Sequence, residues 1–376
     1  MKIDSRAWIE LNLDNLENNI KEINKKIDKN TQIMAVIKAN AYGHGDVLIA
    51  NKLNEIGIKN FAVATLEEAI NLRKNNIKGE ILILGYTPIS KIYEAVKYNL
   101  TQTIVDNEYA KEIQKELEKN KKEEKIKAHI KINTGMNRIG IKYNEIAKIE
   151  EIYTCTSIEV KGIFSHLAVA DENTINAKEF TNRQVEKLKK CVNNLKNKGY
   201  DVGKVHIQSS YGMLNYDNYK FDYVRTGIFL YGVQENDIKD FKLKPVLELK
   251  SRIEAVNTII EDETLGYGRS YKAEEKEEKI AAVSIGYADG YPRALSNKDT
   301  KVIVNGEYGT VIGKICMDQL MIKLPKNIEV KPGDTVTLIG KEKDKEITVN
   351  YLAKKAETIP YEILSRLGNR LERIEK

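Results

Sequence analysis

Between Gln32 and Val233 the chain repeats one unit eight times: a short β-rich run, then a polar segment with helical periodicity. This feature constrains the fold more than any other, because strands joined through helices pair in parallel and must have both sheet faces covered. The runs are "QIMAVIK", "NFAVAT", "EILILGYTP", "LTQTIVDN", "KAHIKINTGM", "EVKGIFSHLA", "KVHIQSS" and "DYVRTGIFLYGV". Thr65 is the expected N-cap of the helix after the second run, with Glu67 and Glu68 in its first turn. "NRQVEKLKKCVNNLKNKGY" is the helix between runs six and seven. Eight strand–helix units predict a (β/α)8 TIM-type barrel. A doubly wound open sheet is the alternative, and no G-x-G-x-x-G fingerprint supports it.

From Leu243 the texture changes to strands and turns, with "NGE" as a hairpin signal and a helical tail from "YLAKKAETIPYE" to the end. The expected division is residues 1–242 for the barrel and 243–376 for a mostly β domain. A chain of 376 residues is long enough for both. Its 61 Lys and Arg against 55 Asp and Glu leave a net charge of +6, spread through mixed runs such as "KKEEKIK". Such runs are solvated faces, so nucleic acid is not an expected partner. Three cysteines without ligand spacing argue for a reducing compartment and against a disulfide framework or a zinc site; no metal is expected. The N-terminus has no apolar core of a signal peptide and no run matches a membrane span, so a cytoplasmic soluble protein is the economical expectation.

In such a barrel the active site lies where strands end. Strand one ends at Lys38, and strands five to eight are followed or ended by Arg138, His166, Ser209 with Ser210, and Arg225 with Gly227. An isolated lysine at a strand end ordinarily snorkels to solvent. On this rim, desolvation would lower its pKa and free it to form an imine, with pyridoxal phosphate or with an aldolase substrate as the carbonyl partner. "QSS" and "RTGI" after strands seven and eight offer hydroxyl and backbone donors where barrels often bind phosphate.

The segments "AVIKANAYGHG", "KINTGMNRIG", "FSHLAVADE", "YVRTGIFLYG", "LGYGRSY", "SIGYADGYPR", "GKICMDQLM" and "IPYE" together resemble the signature segments of the alanine racemases, in that family's order over essentially the whole chain. The resemblance implies an isomerase with pyridoxal 5'-phosphate anchored on Lys38. Tyr42, Ser210, Gly227, Ile228 and Tyr361 match positions around the cofactor phosphate, and Arg225 matches the arginine facing the pyridine nitrogen. Lys38 and Tyr267 match the two bases, Lys38 for the D-substrate face and Tyr267 for the L-substrate face. His166 matches the histidine that joins Arg225 in stabilising the tyrosinate. Arg138 and Met317 match the carboxylate-binding groups, Tyr287 and Tyr361 narrow the substrate entrance, and Lys131 matches a lysine carbamylated in some relatives. In the family the tyrosine base reaches the other subunit's site, so the resemblance implies a homodimer with shared active sites and a role in D-alanine supply for peptidoglycan.

The chain departs from the family pattern at Asn133, Ser209, Ser365 and the terminal "NRLERIEK", none of which handles protons. Cys316 reads as packing, since no base is indicated beside it. The rival readings are a serine or broad-specificity racemase, a decarboxylase on a related architecture, and a non-catalytic pyridoxal-phosphate carrier. The β-domain segments argue against the last two.

Overall fold

The computed structural model describes residues 4–119, 124–234 and 240–376, which form two compact units. One unit, Ile20–Ala39 with Asp46–Leu230, is the barrel. Its strands are β1 (Gln32–Val36), β2 (Asn60–Val63), β3 (Glu80–Ile83), β4 (Thr101–Ile104), β5 (Ile126–Asn133), β6 (Ile158–Phe164), β7 (Lys204–Ser209) and β8 (Tyr223–Thr226). Each pairs in parallel with the next, and β8 closes onto β1 with Tyr223 opposite Gln32 and Thr226 opposite Ala35. All eight strand runs read from the sequence are therefore present, as a closed parallel barrel.

The strands are short and apolar because both faces are covered: Ile81, Leu82 and Ile83 of β3 are fully buried. The helix Leu66–Lys74 begins on the expected cap. Thr65 accepts from the Glu68 backbone N–H, and Glu68 returns a bond from the Thr65 N–H, each at 3.3 Å. The long helix Ile175–Asn197 starts on Thr174, whose hydroxyl accepts from the Ala177 N–H.

The other unit comprises the residues up to Asn19, Asn40–Gly45 and Tyr231–Lys376, and is built on a nine-stranded sheet. This division differs from the expected 242/243 boundary in a specific way. The N-terminal strand Ala7–Leu11 pairs antiparallel with the long strand Leu247–Ile260, Ala7 lying opposite Ser251. Its other edge pairs in parallel with Glu372–Glu375. The first strand of the chain thus completes the β sheet rather than the barrel, and the tail ends as a strand rather than a helix. Two short helices, Val349–Ala356 and Pro360–Ser365, precede that strand.

Candidate active site

The barrel unit gathers most of the polar residues picked out from the sequence at the C-terminal ends of its strands. Lys38 follows β1 and is half-buried. Burial lowers its amine pKa, and the positive charge of Arg138 adds to the effect, while Glu68 opposes it. Glu68 has a second task here, because its other carboxylate oxygen accepts from the Ala39 N–H at 2.7 Å. The helix cap therefore also braces the backbone next to Lys38, a link that spacing alone does not reveal.

Arg225 is the best-organised group of the set. At the end of β8, it is buried and donates Nη1 to His206 Nδ1 at 2.6 Å and Nη2 to His166 Nδ1 at 3.0 Å. Nη2 also meets the carbonyls of Ser165 at 2.8 Å and Ile207 at 3.2 Å. A guanidinium has only donors, so both imidazole nitrogens it meets must accept, and each ring carries its proton on Nε2. Burial, with help from Arg138, lowers the Arg225 pKa to about 9, which leaves it charged at neutral pH. His166 is pushed well below the usual histidine range by burial and by the charges of Arg225, Lys131, Arg138 and Lys38. His166 is therefore a neutral ring surrounded by cations.

Lys131, buried on β5, has its ammonium 4.7 Å above the Phe164 ring. Burial, then Arg225 and Arg138, lower its pKa strongly. The charged groups acting on Lys131 are Arg225 and Arg138, both cationic, so positive charge gathers at this rim. Arg138 is exposed on the turn after β5. That turn is ordered by Asn133, whose side-chain Oδ1 accepts from the N–H groups of Gly135 at 3.0 Å and Asn137 at 3.2 Å. The atypical Asn133 thus performs the turn-closing job open to any Asx side chain.

Ser210 follows β7, and its hydroxyl lies 3.1 Å from Thr226 Oγ1 and accepts from the Gly227 N–H at 3.3 Å. Ile228 is buried beside this cluster of donors. Sequence reasoning missed Gln184, which holds the His166 carbonyl at 3.0 Å and the Ala168 N–H at 2.9 Å. It also missed His206. A single histidine inside an apolar strand carries no local signal of its partner nineteen residues away.

In the other unit, Ala39 just before its Asn40–Gly45 segment and then Asn40, Ala41 and Tyr42 all have φ near +53°. Four successive non-glycine residues in the left-handed region are costly, roughly 1 kcal/mol or more each. The turn is held by Gly45 N–H to Asn40 O at 2.9 Å and His44 N–H to Ala41 O at 3.1 Å. The unusual C-terminal tail contributes as well, since Arg373 Nε donates to the Gly43 carbonyl at 3.0 Å. Tyr42 packs its ring 5.1 Å from Tyr231 and 6.0 Å from Tyr361, and burial raises its hydroxyl pKa.

Tyr267 is placed differently: it is 71% exposed, on a turn between Gly266 and Gly268, both at φ +71°. Tyr287 and Met317 are also exposed, on loops joined by Tyr287 N–H to Cys316 O at 3.1 Å and Ala288 N–H to Met317 O at 3.0 Å. Gly286 permits this approach, because a β-carbon there would lie 2.3 Å from the Met317 carbonyl oxygen. Burial raises the Cys316 thiol pKa, in keeping with a packing role.

The chain's similarity to known proteins agrees with this geometry. Residues 11–235 match the alanine racemase N-terminal domain, and residues 246–375 match the alanine racemase C-terminal domain. An alanine racemase of Carboxydothermus hydrogenoformans is 40% identical over 98% of this chain and 99% of its own length. An amino-acid racemase of Enterococcus faecalis is also 40% identical over 99% of this chain, which spans 52% of that longer protein. The solved structure of alanine racemase from Clostridium difficile 630 superposes with a TM-score of 0.93 at 36% identity, covering 100% of this chain and 97% of that one.

Proposed function

The chain belongs to the alanine racemase family, and from that premise we propose that it interconverts L- and D-alanine with pyridoxal 5'-phosphate, by proton transfer at both faces of Cα. The observation that carries the mechanism is Arg225, buried and locked between His166 and His206 at the rim that also bears Lys38. The donor chemistry fits the cofactor. Hydroxyl and N–H groups of Ser210 and Gly227 suit a phosphate, and the surplus of cations around His166 suits a ligand with anionic groups. Lys38 would hold the cofactor through its amine, with Tyr42, Ser210, Gly227, Ile228 and Tyr361 around the phosphate.

Bound pyridoxal phosphate supplies an electron sink that acidifies the Cα–H of the amino acid. Arg225 is assigned to the ring nitrogen, where a donor that keeps its proton limits how far charge is drawn into the ring. Lys38, its amine made easier to deprotonate by burial, moves the proton on the D-substrate face. Tyr267 moves it on the L-substrate face. Its exposure in this chain supports delivery into a second subunit, hence a homodimer with shared active sites. His166 is left with an Nε2–H, the donor needed to stabilise a tyrosinate. Arg138 and Met317 hold the substrate carboxylate, and Tyr287 with Tyr361 limits side-chain size. Lys131, buried beside the charges of Arg225 and Arg138, is the position where carbamylation would place a compensating negative charge.

No helix among the described residues is long and apolar enough to cross a membrane. We assign a cytoplasmic setting and a supply of D-alanine to peptidoglycan. A broader substrate range is the second reading, favoured by the Enterococcus faecalis relative named for amino acids in general. Incubating the purified, cofactor-loaded protein with L-alanine in heavy water tests the assignment. Deuterium at Cα and growth of D-alanine are expected; neither appearing would end it. Parallel assays with serine, lysine and ornithine separate the two readings.

A further inference from the structure

A chain of polar groups runs from Arg225 through the barrel interior to its opposite end. Because Arg225 donates to His206 Nδ1, the His206 proton sits on Nε2, which lies 2.9 Å from His129 Nδ1. His129 must accept there, so its own proton is on Nε2, facing Glu80 Oε1 at 3.1 Å. That last approach falls outside hydrogen-bond geometry, and neither atom has a hydrogen-bond partner among the described residues, so Nε2 and the carboxylate face each other as a close polar contact. Each link thus dictates the tautomer of the next, and the series terminates on a carboxylate.

The surroundings are built for this arrangement. Both imidazoles are fully buried, and His206 stacks on Phe164 with ring centroids 5.0 Å apart and planes within 4°. Gly162 of β6 leaves the space for His129, because a β-carbon there would come within 2.8 Å of Nε2. Glu80 is the first residue of β3, at the base of the barrel, and its Oε2 accepts from the Tyr223 hydroxyl at 3.2 Å. Its side chain is 21% exposed toward a basal cavity of about 890 Å³. Burial works against the charged carboxyl, yet the nearby His129 and the bond from Tyr223 hold it below the usual range.

We propose that Glu80 and His129 are positioning residues for the racemisation, locking His206 in the tautomer that accepts from Arg225 and setting a fixed negative charge behind the guanidinium. The inference rests on the reading of Arg225 as the cofactor-facing group. The charge acts through two neutral rings, so it orients and retains the guanidinium proton without an ion pair at the rim. Titratable groups facing Glu80 are His129 and Tyr223, with Lys127, Glu159, Lys161, Asp201, Lys204 and Asp222 around the cavity. Those acting around Arg225 are Lys131, Arg138, His166 and His206.

Two measurements on the full-length holoenzyme decide the matter. Long-range proton–nitrogen NMR distinguishes the four histidines of the chain. With Nδ1 accepting in both rings, His129 and His206 are expected neutral and protonated on Nε2. Either ring found cationic, or protonated on Nδ1, overturns the proposal without recourse to any variant. Glu80→Gln removes the charge at nearly constant shape. Its kcat is expected to fall about 3- to 10-fold with the alanine KM within about twofold, and the alkaline limb of the kcat profile to move down by about 0.5 to 1 pH unit. Glu80→Asp should recover part of both effects. A folded Glu80→Gln enzyme with an unshifted profile refutes the positioning role, whether or not it is less stable. If the wild-type enzyme fails to racemise alanine, the functional reading fails while the tautomers still report on the chain.

Discussion

Arg225 Nη2 donates to His166 Nδ1 at 3.0 Å, and this single bond decides which proton the imidazole can offer. With Nδ1 occupied as an acceptor, the ring presents an Nε2–H and is neutral. On the proposed two-base reading, replacing His166 by Phe removes the donor assigned to the Tyr267 phenolate. The acidic limb of kcat/KM for L-alanine is expected to move up by about one pH unit, with turnover at neutral pH falling about tenfold. A pH–rate profile that keeps its limb in place contradicts the role.

Arg138 stands exposed on a turn that Asn133 closes, so its guanidinium is free to meet a carboxylate. Loss of a charge-assisted bond is worth about 1.5–3 kcal/mol, so Arg138→Leu should raise the alanine KM about 10- to 100-fold. Since the Arg138 charge also lowers the Lys38 pKa, the variant's amine should titrate higher. Steady-state kinetics together with a spectroscopic titration of the lysine check both.

Gly43 has φ +79°, and a β-carbon there would lie 2.2 Å from the Leu364 carbonyl oxygen. Backbone cannot yield as a flexible side chain can. Gly43→Ala is expected to cost about 3 kcal/mol or more, read from the urea-unfolding midpoint. A midpoint equal to wild type would show that the left-handed turn relaxes freely.

Three histidines, His44 and His206 buried and His166 largely so, link stability to pH. His44 is lowered to about 4 by burial, and His166 and His206 lie well below the usual range, chiefly for the same reason. Their folded-state pKa values are depressed, so in this range the unfolded chain binds more protons. The stability they contribute is complete above about pH 6.5 and is lost as pH falls, by up to about 1.4 kcal/mol per pH unit for each ring. Unfolding midpoints should be level from about pH 8 to about pH 7 and drop steeply below about pH 6; a level course down to about pH 5 would show these rings to be solvated.

The sequence made the barrel legible because each strand carries its own signal: an apolar run, a helix start such as Thr65, and a polar residue at its end. It did not reveal which sheet Ala7–Leu11 joins, since a strand's pattern shows which faces are buried and not which edge it pairs with. The parallel Glu372–Glu375 edge escaped for the same reason. Lys38, Ser210 and Arg225 stood out as polar groups at strand ends. His129 and His206 did not, because their function lies in a mutual contact across β5 and β7. The left-handed turn through Ala39, Asn40, Ala41 and Tyr42 was also hidden, since none of these residues is a glycine. The tail "NRLERIEK" proved informative only in place, where Arg373 holds Gly43.

The two-base assignment is the centre of the account, and one isotope experiment on Tyr267→Phe meets it most directly. With cofactor bound, each alanine enantiomer is incubated separately in heavy water and Cα deuteration is followed by NMR. Lys38 should still exchange the proton of D-alanine without inverting it, while L-alanine exchanges at least about 100-fold more slowly than in wild type. Undiminished deuteration of L-alanine would contradict the role given to Tyr267, and with it the division of the reaction between two faces.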